Sequence, residues 1–408
     1  MGVEGKIKIA FVEGRYDSFY GGQRSMATLI QNLPEEKFNP VVVTTNEGEL
    51  SRELTKKGVE VEIVPINPLL NKFGGVLFDY SLTKKIKAAH ELLKYNLKIS
   101  NWLKKNNIDI VYVNEFRSLL YCGLAARIRG LPLLRYIRGT GGKIDQLTGK
   151  MKSVLDFIGL RVPTKIITIS DGVRRMYSEN QLEKHSEKFT TLYTGFDFED
   201  LNYDKGQRKK DKEEVHSDYN IPESAKVIGL VGSICHRKGH DLLVEAAPKI
   251  IEREENAHFL LVGGSPAGQE GFKEEIKEKT ENKDLSSRFH WTGYQDDIKK
   301  FYNGIDLLVL PSRGEGLPRT VIEGLAMGLP VVATDAGGTK EIITEREHGK
   351  VIEKENTEQL AEAVTECLKD KDLIKKHRKE RYNYVKNKFS IKSYVEGFEE
   401  IIEEVLAS

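Results

Sequence analysis

The sequence predicts an α/β protein of two domains, each a doubly wound parallel sheet. Three observations carry this. The chain has 408 residues, too many for one hydrophobic core, which suggests two domains of roughly 200 residues each. Apolar runs of a strand's length alternate with segments of helical periodicity, as βαβ units require. One stretch shows such a unit in full: Asp306 to Glu341, DLLVLPSRGEGLPRTVIEGLAMGLPVVATDAGGTKE.

Taken in order, Ile7 to Val12 reads as the first buried strand. The loop Glu13 to Gly22 ends in the pair Gly21-Gly22, before a helix carrying Ala27, Leu29, Ile30 and Leu33. A glycine pair at such a turn lets a ligand approach the backbone, although an ordinary strand-to-helix turn would use it too. No G-x-G-x-x-G occurs, so it is not a dinucleotide fingerprint. Pro40 to Thr44 and Val59 to Val64 are strands flanking the helix Glu49 to Lys57. Leu82 to Lys105 is a long helix with Leu82, Ile86, Ala89, Leu93 and Leu97 on one face and seven lysines elsewhere. Ile108 to Val113 and Leu131 to Ile137 are further strands. Arg138-Gly139-Thr140-Gly141-Gly142 comes next, and Ile144 stands where a nicotinamide enzyme would need a third glycine. Lys165 to Ser170 is a strand ending at Asp171, and Thr190 to Asp197 is a strand and turn.

From Asp204 to Asp218 nearly every residue is charged or polar, which predicts a linker or exposed insertion. A second series opens with the strand Lys226 to Val231, the loop Gly232-Ser233-Ile234-Cys235-His236-Arg237-Lys238-Gly239 and the helix Asp241 to Ile251. His236 and His240 have i, i+4 spacing but no third ligand, so zinc is not expected. The strands His258 to Val262 and Phe289 to Thr292 end in Gly263-Gly264-Ser265 and Gly293-Tyr294. Three helices are expected after Glu341: Thr357 to Lys369, Lys371 to Lys386 and Ser390 to Leu406.

Within the central stretch, Leu307 to Leu310 suits a strand buried on both faces. Pro318 sits where a helix can begin, because its missing N–H would be unpaired there anyway. Val321, Ile322, Leu325 and Ala326 keep helical spacing, Gly328 can cap the end, and Pro330 to Ala333 starts another strand. The free first-turn amides of Arg319 and Thr320 make an anion site out of oriented N–H groups and the helix dipole. Glu315 in the loop and Glu323 in the helix frame that site. A diphosphate between two such acceptors suits a nucleotide sugar, although either glutamate alone could be an ordinary surface residue.

The stretch resembles the E-x7-E signature of family 4 glycosyltransferases, retaining enzymes of the GT-B fold. The segments Gly328 to Thr334 and Gly337-Gly338-Thr339-Lys340-Glu341 are similar to the family's residues just beyond that signature. The resemblance implies two Rossmann-like domains facing a central cleft. Residues 1–203 would bind the acceptor, 221–387 bind the nucleotide sugar, and 388–408 be a helix crossing back, with the charged linker or insertion at 204–220 between the domains. It implies that Glu315 contacts the donor sugar and Glu323 the ribose, with Gly316, Leu317, Arg319 and Thr320 beside the diphosphate. Arg237 and Lys238 would neutralise the leaving diphosphate. Many members have arginine where this chain has Ser233. Ser233, Gly21, Gly22, Gly264 and Tyr294 complete the expected donor site, the loops at Gly264 and Tyr294 being where a nucleobase and the far edge of the sugar would lie. Where many members carry a histidine, this chain has Arg138, which suits either an anionic acceptor or the phosphate.

Composition limits the alternatives. The chain is 39% hydrophobic and 31% charged with a net charge of +1, which fits a globular protein and implies no nucleic-acid partner. Charge is unevenly spread: Leu69 to Arg161 holds 17 Lys and Arg against 6 Asp and Glu. A basic amphipathic helix such as Leu82 to Lys105 suits an anionic membrane, or else a core helix with a solvated lysine face. Cys122, Cys235 and Cys367 are too few and scattered for a disulfide framework and point to a reducing cytoplasm. No signal peptide or uncharged run of about 18 residues is present, so the expected location is cytoplasmic, or peripheral on the membrane's cytoplasmic face. The expected function is retaining, metal-independent transfer from a UDP- or GDP-linked sugar to a glycan, lipid-linked or small-molecule acceptor, with no cofactor. A sugar-nucleotide epimerase would share the architecture but needs acid–base residues the sequence does not display. A catalytically silent partner subunit would have no reason to keep Glu315, Glu323, Arg237 and Lys238.

Overall fold

The computed structural model describes residues 5–71, 81–139, 149–199, 201 and 203–407, with backbone alone for 149–153. Thr140 to Gly142 and Ile144 lie outside the described residues. The chain divides into two compact units, Met1–Gly195 with Ile391–Ser408 and Phe196–Ser390.

The first unit holds β1 (Ile7–Glu13), β2 (Phe38–Thr44), β3 (Val61–Ile63), β4 (Ile110–Val113), β5 (Leu133–Ile137), β6 (Lys165–Thr168) and β7 (Phe189–Thr191). They form one parallel sheet in the order β3-β2-β1-β4-β5-β6-β7. The chain steps one way from β1 to β3 and the other way from β4 to β7. Right-handed crossovers therefore place helices Gly21–Asn32 and Glu49–Lys56 on one face, and Leu82–Lys105, Phe116–Arg129 and Gly149–Arg161 on the other. Helix Ile391–Ala407 packs against Gly21–Asn32.

The second unit holds β8 (Lys226–Val231), β9 (Ala257–Val262), β10 (Phe289–Gly293), β11 (Leu307–Leu310), β12 (Val331–Thr334) and β13 (Gly349–Ile352). Its parallel sheet runs β10-β9-β8-β11-β12-β13. Strand order reverses between β8 and β11, so the loops at their carboxyl ends, 232–239 and 311–318, come side by side. That switch point is where open parallel sheets bind ligands.

Three expectations need correction. The charged segment 204–220, expected as a linker or exposed insertion, is instead built around Lys205–Asp218, a helix of the second unit. Two of its charged side chains, Arg208 and Asp211, are buried, and Lys212 is partly so, each with a partner. Arg208 donates to the carbonyls of Tyr302 and Ile305, Asn303 donates to Asp211 at 2.7 Å, and Lys212 reaches Asp306 at 2.6 Å. The boundary between units falls at Gly195/Phe196 rather than after residue 203, and the return is at Ser390/Ile391. The stripe Leu82, Ile86, Leu93 and Leu97 is not core. That helix buries Ala88, Tyr95, Asn96, Ile99, Ser100 and Leu103 instead. Among the described residues no helix is long and apolar enough to cross a membrane.

Candidate active site

The loop after β8 and the loop after β11 are bolted together by backbone and side chain. The Arg313 amide donates to the Arg237 carbonyl at 2.8 Å, and its guanidinium grips Asp241 at 2.8 and 2.7 Å. Gly239 has φ +72°, and a Cβ there would lie 2.0 Å from the Pro311 carbonyl oxygen, so only glycine permits this approach. The same holds at Gly337, with φ +56°, where a Cβ would lie 2.1 Å from the Glu315 carbonyl oxygen.

The contact between the loops brings the expected charged residues together. Glu315 is only 8% exposed. Its Oε1 accepts from Lys238 Nζ at 2.8 Å, Arg237 Nη1 at 2.9 Å and Ser312 Oγ at 2.8 Å. Burial alone would raise the pKa of this carboxyl, but the charges of Lys238 and Arg237 outweigh it and hold the group below the usual carboxylate range. Lys238 is buried and Arg237 half-exposed, with its Nη1 also donating to the Gly314 carbonyl at 2.9 Å. In this structure, therefore, Glu315 neutralises the two cations expected to face a diphosphate.

Glu323, 6% exposed, lies on helix Arg319–Ala326. Its Oε2 accepts from the buried Tyr302 hydroxyl at 2.9 Å, and its Oε1 lies 3.5 Å from Arg319 Nη2. Arg319 in turn lies over the Phe196 ring, 4.8 Å from its centre. The two glutamates thus have separate partner sets.

Helix Arg319–Ala326 starts at Pro318 without a side-chain cap. The amides of Arg319 and Thr320 find no acceptor among the described residues, and the Thr320 hydroxyl is buried without a partner. Three such donors at a helix start are an arrangement that can receive an anion. Ser265 Oγ, next to Gly263-Gly264, is likewise buried and unpartnered. Gly264 abuts Tyr294, whose side chain is exposed. Ser233 is exposed in its loop, Leu317 is buried, and the Gly316 carbonyl accepts from the Gly338 amide at 2.8 Å.

In the first unit, Gly21 and Gly22 open helix Gly21–Asn32, and a Cβ on Gly22 would lie 3.4 Å from Arg138 Cδ. Arg138 is already engaged. It donates to Asn114 Oδ1 at 3.0 Å, Ser25 Oγ at 2.9 Å, and the hydroxyls of Tyr112 and Tyr394 at 3.1 and 3.0 Å. It also stacks 3.9 Å above the Tyr136 ring. Burial works against its charge, but Tyr112, Tyr394 and Tyr136 raise its pKa, and it stays protonated. Arg138 is thus a tie between the first sheet and helix Ile391–Ala407.

Sequence reasoning missed Ser312, Tyr302 and Arg313 as supports. Ser312 and Arg313 lie in the loop after β11, but nothing in their spacing marks them. Tyr302 comes from the preceding helix, Ile298–Gly304, and only tertiary packing brings it to Glu323. Among the described residues no group of three or more His, Cys, Asp and Glu is placed to hold a metal ion.

Two family models match the chain: Glycosyltransferase Family 4 over residues 19–200 and Glycosyl transferases group 1 over residues 211–388. The chain belongs to the group 1, family 4-like glycosyltransferases. This glycosyltransferase is 24% identical over 406 residues to the UDP-Gal:alpha-D-GlcNAc-diphosphoundecaprenol alpha-1,3-galactosyltransferase of Escherichia coli, covering 97% of this chain and 96% of that one. It is 28% identical over 166 residues to the lipopolysaccharide core biosynthesis mannosyltransferase LpsB of Rhizobium meliloti. That match spans 40% of this chain and 47% of LpsB, just under half its length. Among solved structures, HepE of Anabaena in complex with UDP has a TM-score of 0.77 at 17% identity, covering 98% of this chain and 100% of that one. The glycosyltransferase has the GT-B fold.

Proposed function

We propose that this glycosyltransferase moves a sugar from a nucleoside diphosphate donor to a glycan, lipid-linked or small-molecule acceptor, with retention of configuration and without a divalent metal. One observation carries the reading: Glu315, Arg237 and Lys238 meet beside the uncapped start of helix Arg319–Ala326, with Glu323 on the same helix. In this reading the diphosphate takes Arg237 and Lys238 as partners, together with the amides of Arg319 and Thr320 and the Thr320 hydroxyl. Glu315 then turns to the donor sugar, and Glu323, held by Tyr302, accepts from the ribose. Charge developing on the leaving diphosphate meets the Arg319 and Thr320 donors already in place and the two cations that Glu315 releases. The leaving phosphate itself takes the acceptor's proton. Support for a uridine nucleotide comes from HepE, solved with UDP, and from the galactosyltransferase, whose donor is UDP-Gal. Those names and LpsB support a polysaccharide or lipopolysaccharide acceptor. The lysines of helix Leu82–Lys105 support peripheral association with an anionic membrane, where a lipid-linked acceptor would be met.

A thermal-shift screen against UDP, GDP, ADP and their sugars tests the donor. A ligand at 100 times its Kd stabilises by about 2.7 kcal/mol, and no shift with any of them would overturn the assignment. Proton NMR of the first product reads the stereochemistry, with the donor's anomer retained. Activity should survive exhaustive chelation; complete loss, restored by Mg²⁺ or Mn²⁺, counts against the metal-free reading.

A further inference from the structure

Helix Leu82–Lys105 exposes Leu82 at 74%, Ile86 at 63%, Leu97 at 48% and Leu93 at 47%. The two helices beyond it do the same, with Leu124 and Ile128 on Phe116–Arg129 and Val154 and Phe157 on Gly149–Arg161. Eight of the thirteen exposed large apolar side chains among the described residues sit on these three helices. The helices are neighbours on one face of the first sheet. Asn96 donates to the Leu120 carbonyl at 2.9 Å, and Arg127 donates to the Arg161 carbonyl at 2.8 Å. A concentration of exposed apolar residues on one side marks an interaction surface.

Charge decides what covers it. The first two helices carry seven Lys and three Arg against a single acid, Glu91. A second copy of the chain would set cation against cation, whereas an anionic bilayer satisfies both the cations and the apolar side chains. A cavity of about 540 Å³ adjoins the face, walled by Phe157, Leu160, Arg161, Gln181, Lys184 and His185, with Asp156 also on its lining. Phe157 belongs to both the face and the cavity. The Arg161 guanidinium lies over its ring, 5.3 Å from the centre. Cations beside an aromatic ring are the chemistry that holds a phosphate headgroup while its acyl chains meet apolar residues.

We propose that this three-helix face docks on an anionic lipid bilayer, its apolar side chains entering the headgroup–acyl boundary while the cavity beside Phe157 takes a lipid phosphate. The proposal rests on the peripheral-membrane reading above and deepens it, adding apolar insertion and a headgroup pocket to the lysines of one helix.

The full-length chain is co-sedimented with vesicles of phosphatidylcholine alone and with phosphatidylglycerol added, at low and high salt. Binding should require phosphatidylglycerol, weaken with salt and persist in part at high salt. Changing Lys84, Lys85 and Lys87 to Glu should weaken binding at low salt by at least about a hundredfold. The double change Val154→Ser and Phe157→Ser should remove the salt-resistant part, and Lys184→Glu should weaken binding to phosphatidylglycerol vesicles. All of these residues are exposed, and circular dichroism checks folding. If the lysine changes abolish binding but the serine and Lys184 changes do nothing, insertion and the pocket are overturned and simple peripheral binding stands. If no vesicle binds and sedimentation velocity shows a dimer, the face is an interface between copies and both readings fail. Nucleotide thermal shifts are scored separately, so failure of the glycosyltransferase mechanism is not confused with either.

Discussion

Glu315 is the residue on which most of the site turns, because one carboxylate oxygen serves two cations and a hydroxyl. Removing the whole side chain would leave Lys238 buried without its counterion, a loss of about 3–5 kcal/mol in comparable cases. Glu315→Gln is therefore the cleaner probe. It should fold with reduced stability and lose turnover far more than nucleotide affinity, as steady-state kinetics and calorimetry can separate. Glu323→Ala should do the reverse and weaken nucleotide binding. It also strands the Tyr302 hydroxyl in the core, costing about 1–3 kcal/mol of stability. Wild-type affinity in Glu323→Ala and wild-type turnover in Glu315→Gln would together remove the proposed roles. Arg138 makes a different prediction. Its four hydrogen bonds run to neutral groups on separate elements. Arg138→Lys, with one small head in place of a planar fork, should lose at least two of them, about 2–4 kcal/mol by denaturant melting. An unchanged midpoint would show that the fork is dispensable.

At the scale of elements, the site is a junction of two loops held by glycines. A side chain at Gly337 meets backbone rather than a movable side chain, and its φ of +56° disfavours any replacement. Gly337→Ala should push the Glu315–Gly316 backbone aside, lowering activity at least tenfold while the sheet stays folded. The check is an activity assay beside a far-ultraviolet spectrum, and full activity would mean that the loop has more room than its contacts suggest. The helix Lys205–Asp218 teaches the converse lesson. Its composition reads as solvated, but Arg208 and Asp211 are buried because carbonyls and an asparagine on Ile298–Gly304 and the residues around it receive them. Lys212, Val227 and Arg208 offset the cost of burying Asp306 and hold its carboxyl below the usual range. Hydropathy along the chain cannot register partners roughly 90 residues away.

At the scale of the molecule, the two units respond differently to acid. In the second, burial holds the imidazoles of His240, His258 and His348 at about 4, so they are neutral in the folded state. The unfolded chain binds those protons below its own value near 6.5. Stability is therefore complete above about pH 6.5 and is lost as pH falls towards 4, on the order of 1–3 kcal/mol per group. In the first unit, burial, reinforced by Glu115, raises Glu13 to about 7. That contribution has the opposite sign: it is present below about pH 4.5 and is lost as pH rises through 7. Thermal melts should show the second unit losing more stability than the first between pH 7.5 and 5. Equal shifts in both, or none, would contradict the buried histidines.

The β/α alternation, the strand cores β8 and β11 and helix Leu82–Lys105 were legible in the sequence, as were the charged residues of the candidate site as candidates. Each rests on local period, on local turn chemistry or on a motif contained in one stretch. The edge strand β13 was not, because Gly349–Ile352 is short and only half-buried. Neither was the exposure of Leu82, Ile86, Leu93 and Leu97. Periodicity shows that a helix has an apolar stripe, but not which of its faces the sheet will cover, and here Tyr95, Ile99 and Leu103 won that place. Sequence alone brought Arg237, Lys238, Glu315 and Glu323 to notice as candidates. Only the tertiary structure decided that three of them meet on one carboxylate oxygen, that Arg138 is a tie, and that Tyr302 holds Glu323. Those contacts join residues distant in the chain, and their geometry comes from strand order and loop packing, which no local pattern encodes.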